Sequence, residues 1–234
     1  MTEFRPGGFQ VLPLVVKNLL IINGLAFLAQ NVFGGNETFS IENFFALHDV
    51  RSIYFKPHQI VSYLFLHGSF FHLFSNMFAL WMFGSVLENY WGAKRFLIFY
   101  MLCGIGAGLL HLGVLYYENN AVLEAVKAYP AEAQKELFQN PRFLLNTATL
   151  GASGSVFGCL AAFGYLFPNS LIYLYFFLPV KAKWFVIFYA AMELFAGVRN
   201  SAGDEVAHWA HLGGALVGFL LVFYWNKTNR RKFY

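Results

Sequence analysis

Four polar side chains in strongly apolar surroundings have the types and spacing needed for nucleophilic chemistry. Ser153 stands in a glycine-rich segment, and a serine hydroxyl becomes a good nucleophile when a base such as His211 lies beside it. His72 and Asn76 are four residues apart, so on a helix they share a face and can donate hydrogen bonds to a developing oxyanion. The set is sufficient for acyl transfer, and it contains no carboxylate.

Glycines accompany both the serine and the histidine at helical spacing. Such small residues let two membrane helices approach closely, because no side chain separates the backbones. We therefore expect the helix of Ser153 to pack directly against the helix of His211. The glycines concerned are Gly151, Gly154 and Gly158 in the first segment, and Gly214 and Gly218 in the second.

The composition of the chain indicates that these residues lie within a membrane. Of its 234 residues, 58% are hydrophobic and only 12% are charged, whereas a soluble domain has about 25% charged residues. This excludes a soluble enzyme, a disordered chain and a nucleic-acid-binding domain. The two cysteines, Cys103 and Cys159, lie in apolar runs, which is typical of small buried side chains rather than of a disulfide framework.

Charge-poor stretches of about 20 residues predict six membrane-spanning helices in a single all-α membrane domain over 1–234. Pro168 ends the fourth stretch, and residues 171–180 are expected to form an extended or interfacial segment. The expected spans are 17–35, 64–90, 95–117, 147–167, 182–198 and 206–226. Between and after them we expect a first loop over 36–63, an amphipathic insert over 118–142 and a basic tail over 227–234.

The placement of positive charge predicts how the chain is oriented. Most of the 16 Lys and Arg residues lie on the side of the membrane that carries both termini, which predicts cytoplasmic termini. We expect a multi-pass protein of the bacterial cell (inner) membrane. The second, fourth and sixth spans then begin at the outer face, which brings the four polar side chains to a similar depth.

Three separated motifs resemble those of the rhomboid family of intramembrane serine proteases. The likeness runs from about residue 55 to residue 220. It implies a six-helix rhomboid-like bundle that uses a Ser–His dyad to hydrolyse transmembrane segments of other proteins near the outer face. The motifs are, in chain order, His67-x4-His72-x3-Asn76, Gly151-x-Ser153-Gly154 and Ala210-His211-x2-Gly214-x3-Gly218.

The resemblance implies a role for each site residue. Ser153 is the nucleophile and His211 the general base, while His72, Asn76 and the backbone N–H of Ser153 form the oxyanion hole. Phe157 matches the aromatic residue on which the family stacks its catalytic imidazole. Further supporting residues are Gly151, Gly154, Gly214, Gly218, His67 and His208, and the match of Glu88 and Gly92 implies capping and packing.

The sequence also departs from the family at one place. The family often has a Trp-Arg pair nine residues before the first histidine of the second span, and His58 and Gln59 stand there instead. Structural roles of that pair are therefore not transferred to this chain. The bulky fifth span, with the loop Arg199–Glu205 after it, is expected to gate lateral access of substrates.

Two other functions are compatible with the sequence. One is a rhomboid-like pseudoprotease that binds transmembrane clients without cutting them. The other is a metal or haem protein ligated by His67, His72, His208 and His211, although no His-Glu-x-x-His motif or thiolate pair is present. We expect that the protein uses no metal and no cofactor. Its expected partners are the lipid bilayer and transmembrane substrate proteins, and nucleic acid is not among them. The sequence leaves the oligomeric state open.

Two further ionisable residues lie within expected spans. Glu193 in the fifth span and His111 in the third have no partner within their own segments. We expect both to make only local hydrogen bonds.

Overall fold

The computed structural model describes residues 8–33, 40–174, 177–199 and 206–228. Within these residues the chain is a bundle of helices with one small hairpin. The helices are α1 (Leu14–Phe33), α2 (Ile41–Phe45), α3 (Gln59–Ser62), α4 (Phe70–Trp91), α5 (Ala93–Glu118), α6 (Asn120–Val126), α7 (Ala131–Gln139), α8 (Ser153–Leu166), α9 (Ala182–Arg199) and α10 (His208–Thr228). The strands are β1 (Leu171–Leu174) and β2 (Leu178–Lys181).

The long helices have the character of membrane spans. Among the described residues, α1, α4, α5 and α10 are long and apolar enough to cross a membrane. Helix α8 has only 14 residues, and α9 carries charged side chains at Lys183, Glu193 and Arg199. The expected all-α polytopic bundle is therefore confirmed, whereas the count of six spans is not.

Helix α8 begins at Ser153, later than the residue 147 expected from the sequence. The preceding segment runs extended because Leu47 and Thr149 exchange backbone hydrogen bonds of 2.8 and 2.7 Å. Gly151 then donates its N–H to the carbonyl of Tyr63 at 3.0 Å and takes a φ of 135°, which glycine adopts without steric cost. This break places Ser153 in the first turn of a helix rather than in its middle.

Helix α4 also begins later than expected, at Phe70 rather than at residue 64. The chain first forms a short 3-10 turn over Tyr63–Phe65 and then an extended Ser69. The Ser69 hydroxyl accepts a hydrogen bond from the backbone N–H of His72 at 3.1 Å, which satisfies one of the unpaired donors of the first turn. His72 therefore also lies in the first turn of its helix.

The helices that carry the glycines are in backbone contact. Helix α10 packs mainly against α8 and α5, and also against α9. A Cβ atom added to Gly218 would lie 2.7 Å from both Cα and the carbonyl oxygen of Gly158. Only glycine at these positions allows α8 and α10 to approach so closely.

At the C-terminal ends of α4, α8 and α10, aromatic side chains pack against one another. The rings of Trp91 and Trp225 are 5.6 Å apart, and those of Tyr90 and Phe167 are 5.5 Å apart. The guanidinium of Arg95 lies 4.2 Å above the Trp225 ring. This end of the bundle is the basic end, because Lys94, Arg95 and Lys227 lie at it.

Hydrogen bonds tie the first loop to the bundle. Gln59 is fully buried, and its amide donates to the carbonyls of Asn43, Phe44 and Tyr54. Gln59, which stands in place of part of the family's Trp-Arg pair, thus holds the first loop together through hydrogen bonds to backbone carbonyls. Near the end of α1, Gln30 donates to the carbonyl of His67 at 3.3 Å and accepts from the His67 N–H at 3.0 Å.

The segment expected to be extended or interfacial is an antiparallel hairpin. Strand β1 pairs with β2 so that Leu171 faces Lys181 and Ile172 faces Val180. Ile172 is buried in the core, whereas Leu171 and Tyr173 are exposed. The hairpin therefore caps the basic end of the bundle between α8 and α9.

Candidate active site

Ser153 and His211 are brought together by the first turns of α8 and α10. The Nε2 atom of His211 lies 2.8 Å from the Oγ atom of Ser153, which is a hydrogen bond between side chains 58 residues apart. The ring of Phe157 stacks on the imidazole with a centroid distance of 4.3 Å and an interplanar angle of 8°. The stacking fixes the plane of the imidazole, so the serine hydroxyl has a base at hydrogen-bond distance.

Glu193 is a third member of this cluster, and sequence reasoning missed it. Its Oε2 atom lies 3.0 Å from Nδ1 of His211 and 2.7 Å from Nδ1 of His208. The expectation that Glu193 makes only local hydrogen bonds is therefore wrong, since it bridges α9 and α10. The signal that could have found it was the presence of a carboxylate in an otherwise apolar span.

His72 lies next to Ser153 on the side of Gly151. A Cβ atom added to Gly151 would lie 2.9 Å from Nε2 of His72 and 3.5 Å from Oγ of Ser153. The imidazole and the hydroxyl thus flank the same small space, which exists because residue 151 has no side chain. A reacting oxygen near this space would have an imidazole within reach.

Asn76 is buried one turn further along α4. Its Nδ2 atom donates to the carbonyl of His72 at 2.9 Å. An amide NH2 group has two hydrogens, so one remains for a second acceptor. The backbone N–H groups of the first turn of α8 also lack partners within their own helix, which makes Ser153 a suitable neighbour for a negative charge.

Two more histidines surround the site without contacting Ser153. The ring of His67 is buried and stands edge-on to His72 at a centroid distance of 5.1 Å. Nε2 of His111 lies 2.9 Å from Oγ1 of Thr149, 38 residues along the chain, so this hydrogen bond joins α5 to the extended segment before α8. The expectation that His111 makes only local hydrogen bonds is therefore also wrong. Both histidines support the elements that position the reacting groups.

One group of side chains has the donors of a metal site. Within the described part of the chain, Glu193, His208 and His211 each offer one donor atom, and these atoms lie within 4.8 Å of one another. Two histidines and a carboxylate form a donor set that zinc accepts. His67 and His72, expected in a four-histidine set with His208 and His211, are not in this group. The two Nδ1 to Oε2 distances of 2.7 and 3.0 Å are those of hydrogen bonds.

These features define a polytopic helical membrane protein with a Ser–His pair at the starts of two adjacent helices. A sequence profile of the rhomboid domain matches residues 54–227. That region includes the helices of the site and most of the chain. The chain belongs to the rhomboid family.

Relatives in other organisms support this assignment. The chain is 34% identical to rhomboid protein 1, mitochondrial, of Saccharomyces cerevisiae over 174 residues, which are 74% of this chain and 43% of that protein. It is 29% identical to RHOMBOID-like protein 12, mitochondrial, of Arabidopsis thaliana over 221 residues, covering 94% and 60% of the two chains. An uncharacterized mitochondrial rhomboid protein of Schizosaccharomyces pombe is 25% identical over 270 residues, with 96% and 69% covered. The chain thus spans about half the length of the first two relatives.

The relatives correct the expected location. The sequence-based expectation of a bacterial inner membrane is wrong, because these relatives are mitochondrial proteins. The error has a physical reason: the placement of Lys and Arg shows which side of a membrane is basic, but it does not show which membrane it is. The expectation of a multi-pass membrane protein stands.

Proposed function

We propose that this chain is an intramembrane serine endopeptidase that cleaves transmembrane segments of other membrane proteins. The observation that carries the proposal is the hydrogen bond of 2.8 Å between Oγ of Ser153 and Nε2 of His211, in a helical bundle of the rhomboid family. A serine and a histidine at this distance, with the imidazole stacked on Phe157, suit nucleophilic attack on a peptide bond.

The reaction has two halves. In the first, Nε2 of His211 takes the hydroxyl proton while Oγ of Ser153 bonds to the carbonyl carbon of the substrate. The imidazolium then gives this proton to the leaving amine as the C–N bond breaks. In the second half, His211 takes a proton from a water molecule that attacks the acyl-serine, and it returns the proton to Oγ when the ester bond breaks.

The oxyanion of each tetrahedral intermediate needs hydrogen-bond donors that are already in place. We assign this role to His72, whose ring lies at the space beside Gly151, together with Asn76 one turn further along α4 and the backbone N–H of Ser153. Removing one such donor from a serine protease lowers kcat by about 10²–10³. The positive end of the α8 dipole adds to the stabilisation of the negative oxygen.

Substrates reach the site from the lipid by movement of α9. The bulky Trp184 and Phe188 on this helix are 59% and 64% exposed among the described residues, as expected of side chains that face lipid. Of the loop Arg199–Glu205, which was expected to help gate access, all but Arg199 lies outside the described residues. A cross-link between α4 and α9 should block cleavage of transmembrane substrates while a small soluble ester is still hydrolysed; undiminished transmembrane cleavage would exclude this gate.

The names of the relatives support a mitochondrial membrane for this chain. Subcellular fractionation of the tagged protein should place it with mitochondrial membranes. Its recovery with another membrane would argue against this location.

Cleavage of a transmembrane substrate in liposomes tests the proposed function. The wild type should cut the substrate, and Ser153→Ala should lower the rate by several orders of magnitude, because the nucleophile is gone. Ser155→Ala is the matched control, since this serine lies on the same helix and its hydroxyl donates to the carbonyl of Tyr100 instead. Equal cleavage by Ser153→Ala would exclude the serine mechanism, and binding without any cleavage by the wild type would favour a pseudoprotease.

A further inference from the structure

Glu193 is buried in the bundle and faces two histidines. The residue is 8% exposed, and it is the one charged side chain of α9 between Lys183 and Arg199. A carboxylate at such a position is costly unless hydrogen-bond donors compensate it. Its Oε2 atom has two, Nδ1 of His211 at 3.0 Å and Nδ1 of His208 at 2.7 Å.

The contact with His211 involves the ring nitrogen that faces away from Ser153. Since Nε2 of His211 contacts the serine, a carboxylate at Nδ1 requires the hydrogen on Nδ1 and leaves the lone pair on Nε2. This is the tautomer that a general base needs. When Nε2 takes the serine proton, the same carboxylate lies beside the resulting imidazolium and stabilises its charge.

We propose that Glu193 is a positioning residue that extends the Ser153–His211 pair to a Ser–His–Glu triad. The proposal rests on the proposed function, and it adds a carboxylate to a set of residues that the sequence analysis treats as sufficient without one. Glu193 never touches the substrate; it acts by holding the tautomer, the orientation and the charge of His211.

His208 completes the arrangement from the far side of the carboxylate. Its ring is nearly perpendicular to that of His211, at an angle of 88° and a centroid distance of 6.4 Å. By donating to the same Oε2 atom, His208 keeps this oxygen pointed at His211 and prevents the glutamate from turning toward lipid. The three side chains thus link α9 to α10 at the site.

Several ionisable groups surround His211. Glu193 faces it from α9, and Tyr189 on the same helix lies within electrostatic range of Glu193. His208 lies on the same helix as His211. His72 on α4 and His111 on α5 lie within electrostatic range of His211. Among them only Glu193 is a carboxylate, and it is the group that lies at hydrogen-bond distance from Nδ1 of His211.

Kinetics of two substitutions at this position test the proposal. Glu193→Gln should lower kcat for a transmembrane substrate by roughly 10²–10⁴-fold with little change in KM, because the amide can present a hydrogen to Nδ1 and favour the wrong tautomer. Glu193→Asp should recover part of the rate. The matched control is Met192→Leu, which changes a side chain that is 49% exposed on the same helix.

NMR spectroscopy can detect the contact between Glu193 and His211 without measuring cleavage. In ¹⁵N NMR spectra of the histidine-labelled full chain, His211 should have a protonated Nδ1 in the wild type, and Glu193→Gln should lose this state. If the wild type cleaves the substrate and Glu193→Gln has the same kcat, the triad is overturned while the proposed protease function stands. If the Nδ1 proton is present in the wild type and lost in Glu193→Gln, but the wild type does not cleave the substrate, the contact is supported and the proposed function is contradicted. An unprotonated Nδ1 in the wild type would overturn the inference.

The same three side chains could instead hold a metal ion, and chelation distinguishes the two cases. Treatment of the wild type with a zinc chelator should leave both cleavage and the NMR signal of His211 unchanged. Loss of the signal on chelation, with recovery on addition of zinc, would replace the hydrogen-bonded triad with a metal site.

Discussion

At the residue scale, the orientation of one imidazole governs the proposed chemistry. His211 is held on three sides, by Ser153 at Nε2, by Glu193 at Nδ1 and by Phe157 against its face. Each contact is made at a different part of the imidazole ring, so together the three contacts restrict its rotation. A base held in this way needs no rearrangement before it takes the serine proton.

The stacking of Phe157 on His211 leads to a prediction. Phe157→Leu should lower kcat by about 2- to 13-fold, because an aromatic stack contributes about 0.5–1.5 kcal/mol beyond buried area. Phe157→Tyr is the control, and it should keep most of the activity since the ring remains. Kinetics of both variants with one transmembrane substrate give the comparison, and a leucine variant as active as the tyrosine variant would contradict a role for the ring.

At the element scale, α8 and α10 can carry reacting groups at hydrogen-bond distance because their backbones touch. The contact at Gly158 and Gly218 lies within about two turns of Ser153 and His211, so it sets how far apart the two side chains are. Any atom inserted there must push the helices apart, and interiors transmit such strain.

Substitution at this helix contact gives the second prediction. Gly218→Ala should lower the free energy of unfolding by about 1–3 kcal/mol, as overpacked cores do, and should also reduce cleavage. Gly24→Ala in α1 is the matched control, because a Cβ atom there meets nothing within 4 Å, and it should be neutral or stabilising by about 0.4–1 kcal/mol. Reversible unfolding of both variants in detergent measures the difference; equal stability would mean that the helices can separate at no cost.

The elements differ in how far their sequence predicts them. Long apolar runs predict α1, α5 and α10 to within a few residues, because hydrophobic length is a local property. The start of α8 cannot be found in this way, since it depends on the bridge between Leu47 and Thr149, which are far apart in sequence. Motif spacing brings Ser153 and His211 into one hypothesis, but the contact of Glu193 with His211 arises only when α9 packs against α10.

At the scale of the whole molecule, the bundle has a polar site at one end and aromatic packing at the other. The starts of α4, α8 and α10 meet at Ser153, and their ends meet around Trp91 and Trp225. This sidedness follows from helices that run in the same direction. It places the Ser153–His211 pair at the end of the bundle opposite to the basic end.

A network outside the spans joins the first loop to the end of α5. The carboxylate of Asp49 accepts hydrogen bonds from Arg51 at 2.9 and 2.8 Å and from the Asn119 amide at 2.9 Å. Burial alone would raise the pKa of Asp49, but the hydrogen bonds from Arg51 and Asn119 outweigh burial and hold the pKa below its ordinary value of 3.8. The charged form of Asp49 is therefore favoured by folding.

The third prediction follows from this direction. Because the pKa of Asp49 is lower in the folded chain, its contribution to stability is fully present above about pH 4 and is lost as the pH falls through the folded-state value. At neutral pH, Asp49→Asn should lower the free energy of unfolding by about 1.5–3 kcal/mol, and the difference from wild type should shrink toward acid. Glu124→Gln is the control: its ion pair with Lys127 is exposed, so the effect should stay within about 1 kcal/mol. A constant difference at every pH would contradict the assignment to the Asp49 charge.

The central claim is that His211 activates Ser153 as a nucleophile, and covalent labelling tests it most directly. A fluorophosphonate probe should add one phosphonyl group to the wild type, and peptide mass spectrometry should locate it on Ser153. Neither Ser153→Ala nor His211→Ala should be labelled at this position. Labelling of His211→Ala at the wild-type rate, or labelling of the wild type only at another residue, would contradict the account.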